Sequence, residues 1–258
     1  MPRRSLHMLL CQVALLTIFA IGVGAQEVGP ATGEPITVLV PLTPRLLDTQ
    51  RQVQPAIARW LTHVATRANV RMRLQPAGFD RRIANSNRSQ NSCILGTARL
   101  PERETMVRWI DVIKQDRIVL IAASHDPFKG SLEALMKEAD DQIAAPTGLY
   151  RDILETHGVR YINVDDQRAL ARMVAVGRIR FGIVIGGTLE APEVTSLPLR
   201  VVGELPTREY WFTCSRDLPD AVAARLVTAM NGRTAEALRK LALDEPPPGN
   251  ADTGPPTQ

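Results

Sequence analysis

Short apolar runs alternate along this chain with longer stretches of helical periodicity. Residues 36–40 (ITVLV) form a continuous β-branched run, the pattern of a strand buried on both faces of a parallel sheet. Residues 53–68 then place Ile57, Leu61 and Val64 on one helical face, and residues 70–74 alternate as a second strand. A turn-rich stretch at 85–91 (NSNRSQN) precedes a strand at Cys93, Ile94 and Leu95 that Gly96 closes. The second series begins with a strand over 117–123, a short helix to Glu138 capped by Ser131, and a strand over 142–145. A helix over 151–156 stops at Gly158, and a strand follows at 161–164. Asp166 caps a helix to Val176 that Gly177 closes, and a strand over 179–185 ends at Gly186 and Gly187. A strand over 209–214 and one amphipathic helix over 221–241 complete the pattern.

Strands alternating with helices predict an α/β protein. The two series meet near residues 114–116, and the chain leaves the second near Pro206. This predicts two lobes joined by two crossings, with a cleft and a hinge. The first lobe is discontinuous, residues 26–115 and 207–243, and the second covers 116–206.

The two ends lie outside this pattern. Arg3 and Arg4 precede an almost wholly apolar run over 8–23, and Val23-Gly24-Ala25 offers a cleavage site for a signal peptide of residues 1–25. The run is shorter than the ~20 residues of a comfortable membrane span. Cleavage after Ala25 and export to a bacterial periplasm are expected. Removing those two arginines from 31 basic residues leaves 29 against 27 acidic, a net charge of +2. So even a balance argues against a nucleic-acid partner. Residues 244–258 (DEPPPGNADTGPPTQ) are too polar and proline-rich to bury a core and read as a disordered tail.

Cys93 and Cys214 remain after cleavage, both in expected strands. An oxidising compartment permits a disulfide between them, and two buried free thiols are the alternative. Two separated cysteines with scattered His63, His125 and His157 give no zinc-ligand spacing, so no metal or cofactor is expected. The chain has no Gly-x-Ser-x-Gly elbow, His-Glu-x-x-His or phosphate loop, and is not read as an enzyme.

The candidate chemistry gathers where the strand at Cys93 runs out. Pro101 can open a helical turn, and Glu102 and Glu104 suit its positive end. Arg99 and Arg103 flank that turn. They either pair with Glu102 and Glu104 on a solvated surface or reach a ligand at the strand mouth, where open α/β sheets usually bind.

The segment ARLPERETMVRWIDVI resembles the R-T-P-E-R-E and following tryptophan of extracellular solute-binding proteins of family 3, the polar amino acid type that serves ABC importers. Arg99, Pro101, Glu102, Arg103, Glu104 and Trp109 match. QIAAPTGLY resembles a second family stretch through Gly148, and LARMVAVGRIRFGIVI a third through Gly177 and Arg178. The resemblance implies a type II periplasmic binding fold whose lobes close on a solute and dock on a membrane permease, and a monomer is expected. It implies that Arg103 holds a ligand carboxylate, a task suited to a guanidinium fork. Ala98, Leu149 and Ile185 stand at family ligand positions without the usual hydroxyls and carboxylate, and Arg180 stands where the family has an Asp. Those departures favour an anionic or neutral polar solute over a free α-amino acid. Gly148, Leu149 and Tyr150 are expected at the cleft, with Arg99 and Arg180 as further cationic candidates. A sensory or accessory module with the same fold is the alternative to transport.

Overall fold

The computed structural model describes residues 25–78, 81, 90–138, 141–146 and 150–244. The expected signal peptide, tail and turn-rich 85–91 stretch fall largely or wholly outside them. The chain is mixed α/β around one nine-stranded sheet. In the first part, β1 (Gln26–Val28), β2 (Glu34–Val40), α1 (Pro55–Ala68), β3 (Val70–Pro76) and β4 (Ser92–Ala98) follow one another. β2 lies parallel to both β3 and β4, as its β-branched run predicts. α1 ends at Asn69, which adopts the left-handed conformation that asparagine tolerates better than most residues.

The second part holds α2 (Leu132–Glu138), β6 (Ile143–Ala145), α3 (Arg151–Thr156), β7 (Tyr161–Asn163), α4 (Gln167–Ala175), β8 (Phe181–Ile185) and the short α5 (Pro192–Thr195). β6 is parallel to β7 and β8. The expected caps are present. Ser131 Oγ accepts from Ala134 N at 3.2 Å, and Asp166 Oδ1 accepts from Arg168 N and Ala169 N at 3.1 Å each. Gly158 and Gly177 take positive φ where α3 and α4 stop.

Two long strands join the parts. β5 (Val107–Ala123) and β9 (Leu199–Ser215) pair antiparallel along most of their length and give the order β1-β3-β2-β4-β9-β5-β8-β6-β7. The sequence pattern places only the ends of this ribbon, 117–123 and 209–214. Its middle carries Lys114, Gln115, Asp116 and Arg208, whose polar character hides the strand period. Four register shifts interrupt the pairing, and such bulges add twist and bend to a ribbon. The expected lobe boundaries at 115/116 and 206/207 fall inside it.

The helix expected over 221–241 is two, α6 (Asp220–Met230) and α7 (Arg233–Leu243). Gly232 between them is extended at ψ 141°, a conformation that ends one helix and starts the next. Both pack against α1, whose Trp60, Ile57, Leu61 and Val64 are fully buried. Burial of each such side chain contributes about 1.5–3 kcal/mol.

Cys93 and Cys214 are disulfide-bonded partners in the β4–β9 ladder, so the bond, not the free thiols, is what the structure holds. It ties the returning strand to the first part of the chain across 121 residues.

Candidate functional site

A cavity of about 90 Å³ opens where the first and second parts of the chain meet beside the ribbon. A single water occupies about 10–15 Å³ by this measure, so the space suits a small organic solute or several waters.

β4 shapes one wall. Gly96, at φ +82°, allows the register shift between Leu95 and Thr97, and Thr97 is fixed by a 2.7 Å hydroxyl bond to Thr213. Beyond Ala98 the chain turns at Leu100 into a short 3-10 turn over Pro101–Arg103, the tighter form of the helical turn expected there. That turn separates the two arginines. Arg103 is 6 % exposed, lines the cavity, and its Nη1 donates to the Ala98 carbonyl at 3.4 Å. Arg99 is not a lining residue. Its guanidinium pairs with Glu104 (Nε to Oε1 2.7 Å, Nη2 to Oε2 3.2 Å) and lies 5.2 Å and 4.8 Å from the Trp109 and Trp211 ring centres. This pair holds the Glu104 carboxyl below the usual range. The surface-pairing alternative thus describes Arg99, while Arg103 faces the cavity.

Ala98 and Ile185 line the cavity. Ile185 N and Thr188 Oγ1 both donate to Gln167 Oε1, at 2.9 Å and 2.6 Å, so buried Gln167 anchors the end of β8 to the start of α4. Gly187 also lines the cavity, within the turn at Gly186–Thr188. Tyr150 is fully buried and is not itself a lining residue. Gly148 and Leu149 lie outside the described residues. Arg180 is elsewhere, donating to Asp126 at 2.9 Å and Glu138 at 3.4 Å and lying 4.7 Å from the Phe181 ring centre.

The sequence pattern did not single out Arg45, Lys114, Asp116, Asp165 or Tyr210, which also line the cavity. Arg45 follows the end of β2, so the strand-end rule that found Arg103 could have found it. The others are brought in by the ribbon and by the loop before α4. Lys114 Nζ meets Asp116 Oδ2 at 3.2 Å and donates to the Leu243 carbonyl at 3.1 Å, which draws the end of α7 onto the site. Ile185 brings no carboxylate, yet Asp116 and Asp165 do, so the cavity presents both signs of charge with cations in excess among the described residues.

The two parts also touch directly beside the cavity. The loop between β2 and α1 lies against the start of α4: Gln167 N donates to Leu42 O at 3.3 Å, Arg51 Nη2 to Asp166 Oδ2 at 2.9 Å, and Arg168 Nη2 to Pro44 O at 3.3 Å and to Leu47 O. Arg168 also bonds Glu193, and Arg45 bonds Glu190. Burial alone would raise the Glu193 carboxyl, but its bond to Arg168, a backbone hydrogen bond and the charges of Arg168 and Arg172 together lower it.

No family model and no curated protein matches the chain. Solved structures do. A mutant of ArgBP from T. maritima is 14% identical with a TM-score of 0.70, covering 82% of this chain and 96% of that one. An ancestral arginine-binding protein bound to arginine is 13% identical, TM-score 0.70, over 82% and 99%. A histidine kinase sensor domain with similarity to periplasmic binding proteins is 14% identical, TM-score 0.68, over 82% and 97%. These likenesses assign the two-lobed periplasmic binding fold. Among the described residues no helix is long and apolar enough to cross a membrane.

Proposed function

We propose that this chain is a periplasmic solute-binding protein that captures a small anionic or polar solute in the cavity between its two lobes. The observation that carries this reading is Arg103, a buried guanidinium lining a cavity whose walls come from both parts of the chain. A solute touching both walls would stabilise the closed form through its greater affinity for it. The arginine-binding proteins of the same fold support a solute role, and a permease of an ABC importer is the partner such a role calls for.

A second reading is a sensory or accessory module that signals to a partner without transport. Direct bonds between the two parts favour it, because protein groups alone supply part of the closing energy. The sensor domain among the structural neighbours supports it too.

The test is a thermal-shift screen of small acids, amino acids and sugars, repeated on Arg103→Ala. A stabilising compound should lose its effect in the variant. A shift that survives the substitution removes Arg103 from the site, and a screen without any shift counts against solute capture.

A further inference from the structure

Tyr210 stands directly opposite Ala98 in the β4–β9 ladder. Opposed residues project from the same face of a sheet, and both of these line the cavity. The methyl group at 98 leaves room that a larger side chain would fill. Tyr210 is 6 % exposed, and its hydroxyl has no hydrogen-bond partner among the described residues. Tyr150 is fully buried, and its hydroxyl is likewise unpartnered. The two phenols are near enough to act on each other's ionisation, partly through a side-chain hydrogen-bond interaction, but that contact falls short of a well-formed hydrogen bond.

Buried hydroxyls are nearly always bonded, because leaving one unsatisfied forfeits its hydration without return. Even a bond between the two hydroxyls would use only one of their protons, so this pair beside one cavity points to an acceptor that enters the cavity. The charged groups acting on the Tyr210 phenol include Asp116 and Arg103, which line the same space, and Arg208. Burial raises the phenol well above its ordinary range, so the hydroxyl remains a neutral donor at any physiological pH.

A neutral donor beside a guanidinium suits an acceptor that carries negative charge and several lone pairs. We infer that the Tyr210 hydroxyl donates to the carboxylate of a bound solute that Arg103 also holds. The assignment rests on the solute-binding reading above and narrows it to carboxylate-bearing solutes.

Calorimetric titration of the protein and of Tyr210→Phe with succinate, L-glutamate and L-arginine tests it, together with the melting temperatures of both ligand-free proteins. A carboxylate that binds the parent protein should bind Tyr210→Phe about tenfold more weakly or worse, the size expected for one hydrogen bond to a charged group. The ligand-free variant should melt at the same temperature or higher, since it loses an unsatisfied hydroxyl. Equal affinities overturn the assignment while leaving solute binding intact. A ligand-free melting temperature several degrees lower also overturns it, because the hydroxyl is then part of the fold's own bonding. If none of the three binds the parent protein while a sugar from the wider screen does, the carboxylate assignment falls and solute capture stands. If nothing binds at all, both fall.

Discussion

Arg168→Met tests whether the two parts of the chain are held together by their own groups. The Arg168 side chain is 11% exposed and that of Glu193 26%. The guanidinium bonds Glu193 on its own side of the cleft and the carbonyls of Pro44 and Leu47 on the other. Methionine keeps the apolar stem and deletes only the charged fork. Removing one partner of a fully buried pair costs about 3–5 kcal/mol, because the other charge is stranded. Glu193 can rehydrate, and both carbonyls keep a second donor, Gln54 Nε2, at 3.3 Å and 3.2 Å. The expected loss is therefore smaller, about 2 kcal/mol, in the range of charge-assisted hydrogen bonds. For a chain of this size that lowers the melting temperature by roughly 4–8 °C. The bonds to Pro44 and Leu47 span the cleft, so small-angle scattering of the ligand-free variant should also show a larger radius of gyration. A melting temperature within 1 °C of the parent and an unchanged radius would refute a closing role for Arg168.

Two further outcomes follow from the same contacts. Replacing Cys93 and Cys214 together by serine should lower stability by about 3–5 kcal/mol in urea, because the bond closes a loop of 121 residues in the unfolded chain; a loss below about 1 kcal/mol would contradict this. Asp126 and Glu193 are both lowered in the fold: burial is the largest single influence and opposes this in each, but bonds from Arg180 and Arg168, backbone amides and nearby arginine charges together prevail. A lowered carboxyl contributes stability that is present above its unfolded pKa near 4 and is lost as pH falls through the folded value, so melting temperature should drop below about pH 4. In Arg168→Met the acid-side drop should be shallower, and an identical profile would detach Glu193 from it.

The residues that could be read from the sequence are those whose structure is decided by near neighbours. Asp166 caps α4 through amides two and three residues on, Ser131 caps α2 in the same way, and Gly158 and Gly177 stop helices through their own φ. The β-branched run of β2 likewise foretells a doubly buried parallel strand, and together these cues give the α/β class. The mid-ribbon strands escape because their polar residues mask a two-residue period. The break at Gly232 escapes because the apolar pattern continues across it.

The site itself is a tertiary product. Arg99 and Arg103 have the same chemistry four residues apart, and only the 3-10 turn after Ala98 sends one to the surface and the other to the cavity. Tyr210 comes to face Ala98 across 112 positions of sequence through the ladder that also sets Cys93 beside Cys214. Local hydrogen bonds and side-chain period can name strands, caps and stops. They cannot fix the direction of a side chain when register shifts set it and its neighbours are more than a hundred residues away, and here those distant pairings decide which charges and hydroxyls share one space.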